Sequence, residues 1–283
     1  MKIVLVHNAK SGSALSLTSL KKKFKKNNIE IEKDIKIEPG FEKKLKPFLK
    51  PKQIIAAIGG DGTISAVAGI VAETPAILAP LSGGTLNHFT KDLGVSQDID
   101  KAIAHLKKAK QQKIDIAKVN NIVFINNSSI GLYPSSLKVR EDTESTLGKW
   151  PAAAFGIIKA LIRYKTYIVT INQKTFATPF IFIGNNPYEV NDFALTNRKS
   201  LSKGQLSIYV TKAHSRFALI KIFAHATTGK LHEADEFESY SANEITIKAH
   251  GHKKIYVSHD GEVSKVATPL AYKIVPKSLN ILK

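Results

Sequence analysis

Cysteine is missing from all 283 residues, which removes disulfides, thiolate nucleophiles and cysteine-ligated zinc together. Long apolar runs are missing as well. The longest stretch, residues 151–162, is interrupted by Lys159 and falls short of the ~18 residues that suggest a membrane span. The apolar run at residues 3–6 is too short for the core of a secretory leader, and no small-residue cleavage site follows it. These absences lead to the expectation of a cytoplasmic chain whose membrane contact, if it has any, is peripheral. Aromatic residues make up 8%, and the lysine clusters carry no interleaved aromatic platform on which single-stranded nucleic acid could stack. Nor is there a Gly-x-Ser-x-Gly elbow, a Walker A loop, an internal repeat or a low-complexity linker.

What is present describes an ordinary globular protein: 43% hydrophobic residues, 23% charged residues and a mean hydropathy of -0.09. At about 150 residues per domain, the length predicts two domains. Lysine and arginine number 42 against 23 acids, a net charge of +19. Such an excess suits a polyanionic partner such as nucleotide or anionic lipid, and it equally suits lysine-rich solvated helix faces.

The first hundred residues alternate β-branched runs with helical patterns. Residues 3–6, 54–58 and 76–79 read as strands. Leu17, Leu20 and Phe24 fall at helical spacing, as do Ile64, Val67, Ala68 and Val71, and a further helix is predicted over residues 98–108. This is the signature of an α/β fold with a parallel sheet and crossover helices. From about residue 114 the texture changes to short strands separated by turns, at residues 122–125, 167–171, 180–183, 206–210, 245–247, 255–257 and 271–275. That pattern predicts an antiparallel β-sandwich, with helices inserted over residues 147–164 and around Phe217 to Phe223. The expected division is an α/β domain over 1–116 and a sandwich over 117–283.

Three polar, glycine-bearing loops follow predicted strands. Gly59-Gly60-Asp61-Gly62-Thr63 runs from a strand into a helix, Leu81-Ser82-Gly83-Gly84-Thr85-Leu86-Asn87 does the same, and Asn8-Ala9-Lys10-Ser11-Gly12 follows the first strand. Parallel strands bring all three to one edge of the sheet, where backbone N–H groups and helix N-termini bind phosphate. Glycine there permits close backbone approach and positive φ. Asp61 stands out, because a carboxylate in a phosphate loop repels the anion unless a magnesium ion or a proton-donating hydroxyl intervenes; its other reading is an N-cap. Downstream, Asp260-Gly261-Glu262 lies between two strand-like runs. It reads as a hairpin turn, or as a pair of carboxylates able to serve as general base and metal contact. His250 and His252 share a strand face without a spaced third ligand, so zinc is not expected.

These motifs resemble those of the diacylglycerol and sphingosine kinase family of lipid kinases, in particular its soluble bacterial members, and the resemblance runs almost end to end. Asn8 to Gly12 resembles the first nucleotide loop, Gly59 to Thr63 the signature loop and Gly84-Thr85-Leu86-Asn87 the second glycine-threonine loop. Asn126-Asn127-Ser128-Ser129-Ile130-Gly131 resembles the strand opening the second domain, and Asp260-Gly261-Glu262 the catalytic acidic pair. The resemblance implies a nucleotide-binding α/β domain joined to a β-sandwich, with ATP and magnesium in the cleft between them. The last strand would return to the first domain, and phosphoryl transfer would be to the hydroxyl of a diacylglycerol-like or sphingoid lipid.

On this basis Asn8, Ser11, Gly12, Gly59, Gly60, Asp61, Gly62, Thr63, Gly84, Thr85 and Asn87 bind the nucleotide. The catalytic candidates are Glu262, Asp260 and Asp61, with Glu262 the first choice for the base over Asp260, Asp260 otherwise serving magnesium, and Asp61 orienting magnesium through water or holding the acceptor hydroxyl. The expected partner is a lipid at an anionic membrane surface, not a nucleic acid, and a homodimer is compatible with the resemblance. The sequence departs from the family at Ser65, Leu86 and His88. It departs again at Lys203-Gly204-Gln205-Leu206, where many bacterial members place a metal-binding aspartate. An NAD kinase shares Gly-Gly-Asp-Gly-Thr and is the rival enzyme reading; a catalytically silent nucleotide- or lipid-binding protein is the rival outside enzymes.

Overall fold

A computed structural model describes residues 1–8, 16–131, 166–188, 190–191, 194–195, 198–212 and 237–283. The chain divides into two compact units: Met1–Ile116 with Ser200–Gly204 and Val275–Lys283, and Ala117–Lys199 with Gln205–Ile274. The helices expected over residues 147–164 and around Phe217 to Phe223 lie outside the described residues.

The first unit runs β1 (Lys2–His7), α1 (Leu17–Lys26), β2 (Glu30–Lys36), α2 (Phe41–Leu45), a 3-10 turn (Lys46–Phe48), β3 (Ile54–Gly59), α3 (Asp61–Val71), β4 (Ile77–Ser82), α4 (His88–Asp92), α5 (Ile99–His105) and the start of β5 (Gln111–Val119). Helix α1 begins where Ser16 Oγ accepts the Ser19 N–H at 3.2 Å. It ends in a turn rich in lysine, which suits the negative end of the helix dipole. Its Leu20 and Phe24 bury against Ile3 and Leu5, and sealing a side chain the size of Phe24 contributes roughly 1.5–3 kcal/mol. On α3, Ile64, Val67, Ala68 and Val71 are buried at the spacing the sequence shows.

The second unit takes up the rest of β5 and adds β6 (Ile122–Phe124), β7 (Asn127–Gly131), β8 (Tyr167–Ile171), β9 (Lys174–Thr178), β10 (Phe180–Asn185), β11 (Val190–Asn191), β12 (Ala194–Leu195), β13 (Leu206–Thr211), β14 (Phe237–Ala242), β15 (Glu244–Ala249), β16 (Lys254–His259), β17 (Glu262–Ala267) and β18 (Leu270–Leu282). One antiparallel sheet has the order β14-β13-β10-β7-β16-β17. In the other, β8 lies between β15 and β9, and β15 pairs with the first half of β18. Alternate residues of both sheets, among them Ile130, Ile183, Ile208, Val257, Ile245 and Ile247, form one core around Phe124 and Tyr272. The Tyr272 hydroxyl reaches Ser128 Oγ at 3.1 Å, and complete burial pushes its pKa upward.

In the first unit the strand order is β2-β1-β3-β4-β18, and every neighbouring pair is parallel. The order reverses at β1, whose carboxyl end is therefore the topological switch point. Two elements depart from the sequence reading. Strand β2 went unread because Glu30-Ile31-Glu32-Lys33-Asp34-Ile35-Lys36 buries only Ile35; as an edge strand it needs little more, and its charges discourage pairing with another chain. The last strand, expected over residues 271–275, extends to Leu282. Its far end pairs with β4 through Asn280 and Ile281, although Pro276 and a left-handed Lys277 (φ 51°) look like a turn in sequence.

Candidate active site

All three predicted loops leave the carboxyl ends of parallel strands: Asn8 follows β1, Gly59 ends β3 and Ser82 ends β4. Ser11 and Gly12 lie outside the described residues. The second and third loops touch backbone to backbone, with the Gly83 N–H donating to the Gly59 carbonyl at 2.9 Å. A Cβ added at Gly84 would stand 2.4 Å from Gly60 Cα, and one at Gly59 would stand 2.4 Å from Thr63 Oγ1. No side chain fits at either place. None of Gly59, Gly60, Gly62, Gly83 and Gly84 has a positive φ, so conformational freedom is not what glycine supplies here; close approach is what Gly59, Gly83 and Gly84 require. At Gly62, by contrast, a Cβ would meet nothing within 4 Å.

Gly60, in an extended conformation, caps α3, and Asp61 is the first helical residue. The N-cap reading of Asp61 is thereby corrected. Its Oδ1 instead accepts the Phe89 N–H of α4 at 3.3 Å, a tie between the two glycine loops. Ile64 is the first residue of α3 to donate within the helix, to the Gly60 carbonyl at 3.1 Å. The N–H groups of Asp61, Gly62 and Thr63 find no acceptor among the described residues, and they stand at the positive end of the helix dipole. The Thr63 side chain is buried, packed on Gly59 with its hydroxyl 3.5 Å from Asn8 Nδ2, whereas Thr85 is exposed. Asn87 holds the third loop in shape from a left-handed backbone (φ 52°): its Oδ1 accepts the Gly84 N–H at 3.0 Å and its Nδ2 donates to the Gly84 carbonyl at 2.8 Å.

In the second unit Asp260 and Gly261 form a two-residue turn between β16 and β17, both with positive φ (47° and 89°), and His259 faces Glu262 across it. This is the geometry that Asp-Gly favours in hairpins. Asp260 is almost wholly buried, and both of its oxygens are engaged. Oδ2 accepts the Ile125 N–H at 2.8 Å, and Oδ1 accepts those of Asn126 and Asn127 at 2.7 and 3.2 Å. Glu262 is exposed and has no hydrogen bond or ion pair among the described residues. The two carboxylates, alike in sequence, thus occupy opposite environments.

Arg198, which no motif marked, grips the same segment from another direction. Buried to 4% exposure, its Nη1 donates to the carbonyls of Ile125 at 2.6 Å and Asn185 at 3.1 Å, and Nη2 donates to Asn126 Oδ1 at 2.8 Å. Asn185 Nδ2 adds a bond to the Ile125 carbonyl at 2.9 Å. A lone arginine in a turn-rich stretch carries no periodic signal, so only the contact network reveals it. Elsewhere in the first unit, buried Asp115 accepts the Gly204 N–H at 2.7 Å and the Lys277 N–H at 2.8 Å, tying down the turn that contains Lys203. His250 Nε2 meets Thr170 Oγ1 at 2.7 Å and the His252 ring packs on Tyr167. Among the described residues no three histidine or carboxylate groups gather as a metal cluster.

Comparison with known proteins adds identity to this geometry. Residues 2–119 match the diacylglycerol kinase catalytic domain, and residues 141–283 match the YegS C-terminal NAD kinase beta sandwich-like domain. A Staphylococcus aureus (strain MSSA476) protein named "Putative lipid kinase SAS0691" is 26% identical over 249 residues, covering 85% of this chain and 80% of its own; its counterpart in strain MW2, MW0688, gives the same values. The crystal structure of a "putative diacylglycerol kinase" from Bacillus anthracis str. Sterne superposes with a TM-score of 0.76 at 24% identity, covering 99% of this chain and 96% of that one. A second diacylglycerol kinase structure from the same organism gives 0.70 at 22%, with the same coverage. A glycine-loop α/β unit followed by an antiparallel sandwich, matched along nearly its whole length, places this chain in the diacylglycerol kinase family of lipid kinases, with a YegS-type C-terminal domain.

Proposed function

We propose that this protein is a magnesium-dependent lipid kinase that transfers the γ-phosphoryl group of ATP to a hydroxyl of a diacylglycerol-like or sphingoid lipid. The observation that carries the reading is the pair of interlocked glycine loops, in which Gly84 lies against Gly60 where no Cβ fits and the first turn of α3 keeps three N–H groups without acceptors among the described residues. That donor set suits phosphate oxygens. The free oxygen of Asp61 beside it suits magnesium, directly or through water. Bound Mg·ATP would supply the electrophilic phosphorus and the metal charge that steadies the leaving phosphates.

The chain's own residues then divide the work. Backbone N–H groups of Asp61, Gly62 and Thr63 orient the phosphates, with the exposed Thr85 at the neighbouring loop. Glu262, the carboxylate with both oxygens free, accepts the proton of the lipid hydroxyl as that oxygen attacks phosphorus. Asp260 supports it from within: with three N–H groups on its carboxylate it is a positioning residue that fixes the hairpin carrying Glu262, not a second base. The excess of lysine favours a lipid substrate presented at an anionic bilayer.

The decisive measurement is ATP consumption with a panel of lipid hydroxyl acceptors and NAD as control, followed by mass spectrometry of the lipids phosphorylated from a total extract. Lipid-dependent turnover is expected. NAD-dependent turnover would assign the chain to NAD phosphorylation, and nucleotide binding without turnover on any acceptor would make it a silent binder.

A further inference from the structure

His7 ends β1 at the switch point of the sheet, paired with Lys36 of β2 on one side and with Ile58 of β3 on the other. In open parallel sheets this is where a ligand enters the crevice outside the strand ends. Ile3 and Leu5, which alternate with His7 along β1, pack with Leu20 and Phe24, so His7 lies on the α1 side of the sheet. Only 8% of the residue is exposed, yet its Nε2 has no hydrogen-bond partner among the described residues. A buried polar atom in that state weakens the fold until a ligand or an ordered water completes it. The next residue, Asn8, has its amide 3.5 Å from Thr63 Oγ1, which puts the unpaired nitrogen one residue from the contact between the first loop and the second.

We propose that His7 is a nucleotide-binding residue whose Nε2 completes its hydrogen bond on an uncharged atom of the nucleoside half, base or ribose. The inference rests on the nucleotide-binding reading and adds to it the residue that would select the nucleotide. Phosphate is the less suitable target. Burial pushes the ring's pKa below its ordinary 6.5; Asp34 of β2 opposes the shift, while Lys36 of β2 and Lys21 of α1 reinforce it. The ring is therefore neutral at pH 7, with one donor and one acceptor, which suits an uncharged polar atom. The phosphates already have the first turn of α3.

The test is calorimetric titration of the full chain and of His7→Leu and His7→Gln with ATP, 2′-deoxyATP, GTP and inorganic tripolyphosphate, alongside thermal melting. His7→Leu should bind ATP about tenfold more weakly than the parent, bind tripolyphosphate equally well, and melt no lower because the unpaired nitrogen is gone. His7→Gln should recover much of the affinity. A loss confined to ATP over 2′-deoxyATP would place the contact on the ribose, and a narrowed preference for ATP over GTP would place it on the base. Acidification far enough to protonate the ring, whose pKa burial holds below its ordinary value, should weaken ATP binding by the parent more than by His7→Leu. Unchanged ATP binding by His7→Leu would overturn the proposal, leaving water as the partner of Nε2, and so would a parallel loss of ATP and tripolyphosphate. A parent that bound tripolyphosphate without preferring ATP would overturn the His7 assignment alone; a parent that bound neither would overturn the nucleotide reading with it.

Discussion

Asp61, Asp260 and Glu262 are three carboxylates in different surroundings, and the proposed function gives them different roles that substitution should separate. Glu262→Gln keeps size and polarity but cannot hold a proton taken from a hydroxyl. Turnover should fall roughly 10²- to 10⁴-fold, with ATP affinity and melting temperature unchanged. Asp260→Asn instead brings an amide N–H₂ to a place where Ile125, Asn126 and Asn127 all donate, leaving at least one buried donor unpaired. It should cost about 1–3 kcal/mol of stability, read as a lower melting temperature, together with any loss of rate. An Asp260→Asn protein that melted like the parent and failed only in chemistry would reverse these roles. Asp61→Asn retains an oxygen for the Phe89 N–H, so the loop should hold while the charge beside α3 disappears. Activity should drop steeply and the magnesium requirement should shift upward; unchanged turnover would reduce Asp61 to a tie between loops.

At the scale of elements, the strand-to-helix loops depend on contact, not on freedom of rotation. Gly84→Ala would set a methyl group 2.4 Å from Gly60 Cα, where the opposing atom is backbone and cannot swing aside. The loops must part, at a cost of about 1–3 kcal/mol, and ATP affinity should fall with stability. Gly62→Ala is the matched control, because its Cβ would meet nothing within 4 Å; it should melt like the parent. Equal behaviour of the two variants would remove the interlocked loops from the argument. The same approach explains the legibility of these elements. Gly59 and Gly84 stand out in sequence because such contact excludes every other residue there, whereas β2 is hidden because an edge strand with one buried residue needs no apolar run.

For the whole molecule, the net charge of +19 bears on which surfaces the protein can meet. Among the lysines of α1, Lys21 is held by Asp34 at 2.8 Å and Lys23 by Asp100 at 2.6 Å, whereas Lys22, Lys25 and Lys26 have no ion pair among the described residues and can meet an anionic surface. Vesicles containing anionic lipid should sediment the protein, with binding that weakens as salt rises. Replacing Lys22, Lys25 and Lys26 by glutamate should reduce that binding without changing the melting temperature. Binding indifferent to salt, or absent, would return these lysines to ordinary solvated positions. No described helix is long and apolar enough to cross a membrane.

The sequence by itself determined the two-part architecture, the parallel α/β beginning, the three loops at the strand ends and the acidic hairpin. Each of these is encoded locally, by period, by glycine or by turn chemistry. Tertiary structure alone decided that Gly60 and not Asp61 caps α3, that Asp260 takes three N–H groups while Glu262 has no side-chain partner among the described residues, that Arg198 braces Asn126, and that the His7 Nε2 at the switch point has none among them either. The reason is physical. A residue's hydrogen-bond partners and exposure are set by segments far away in the chain, such as the 134 positions between Asn126 and Asp260, and no pattern within either segment records which groups the fold will bring to it.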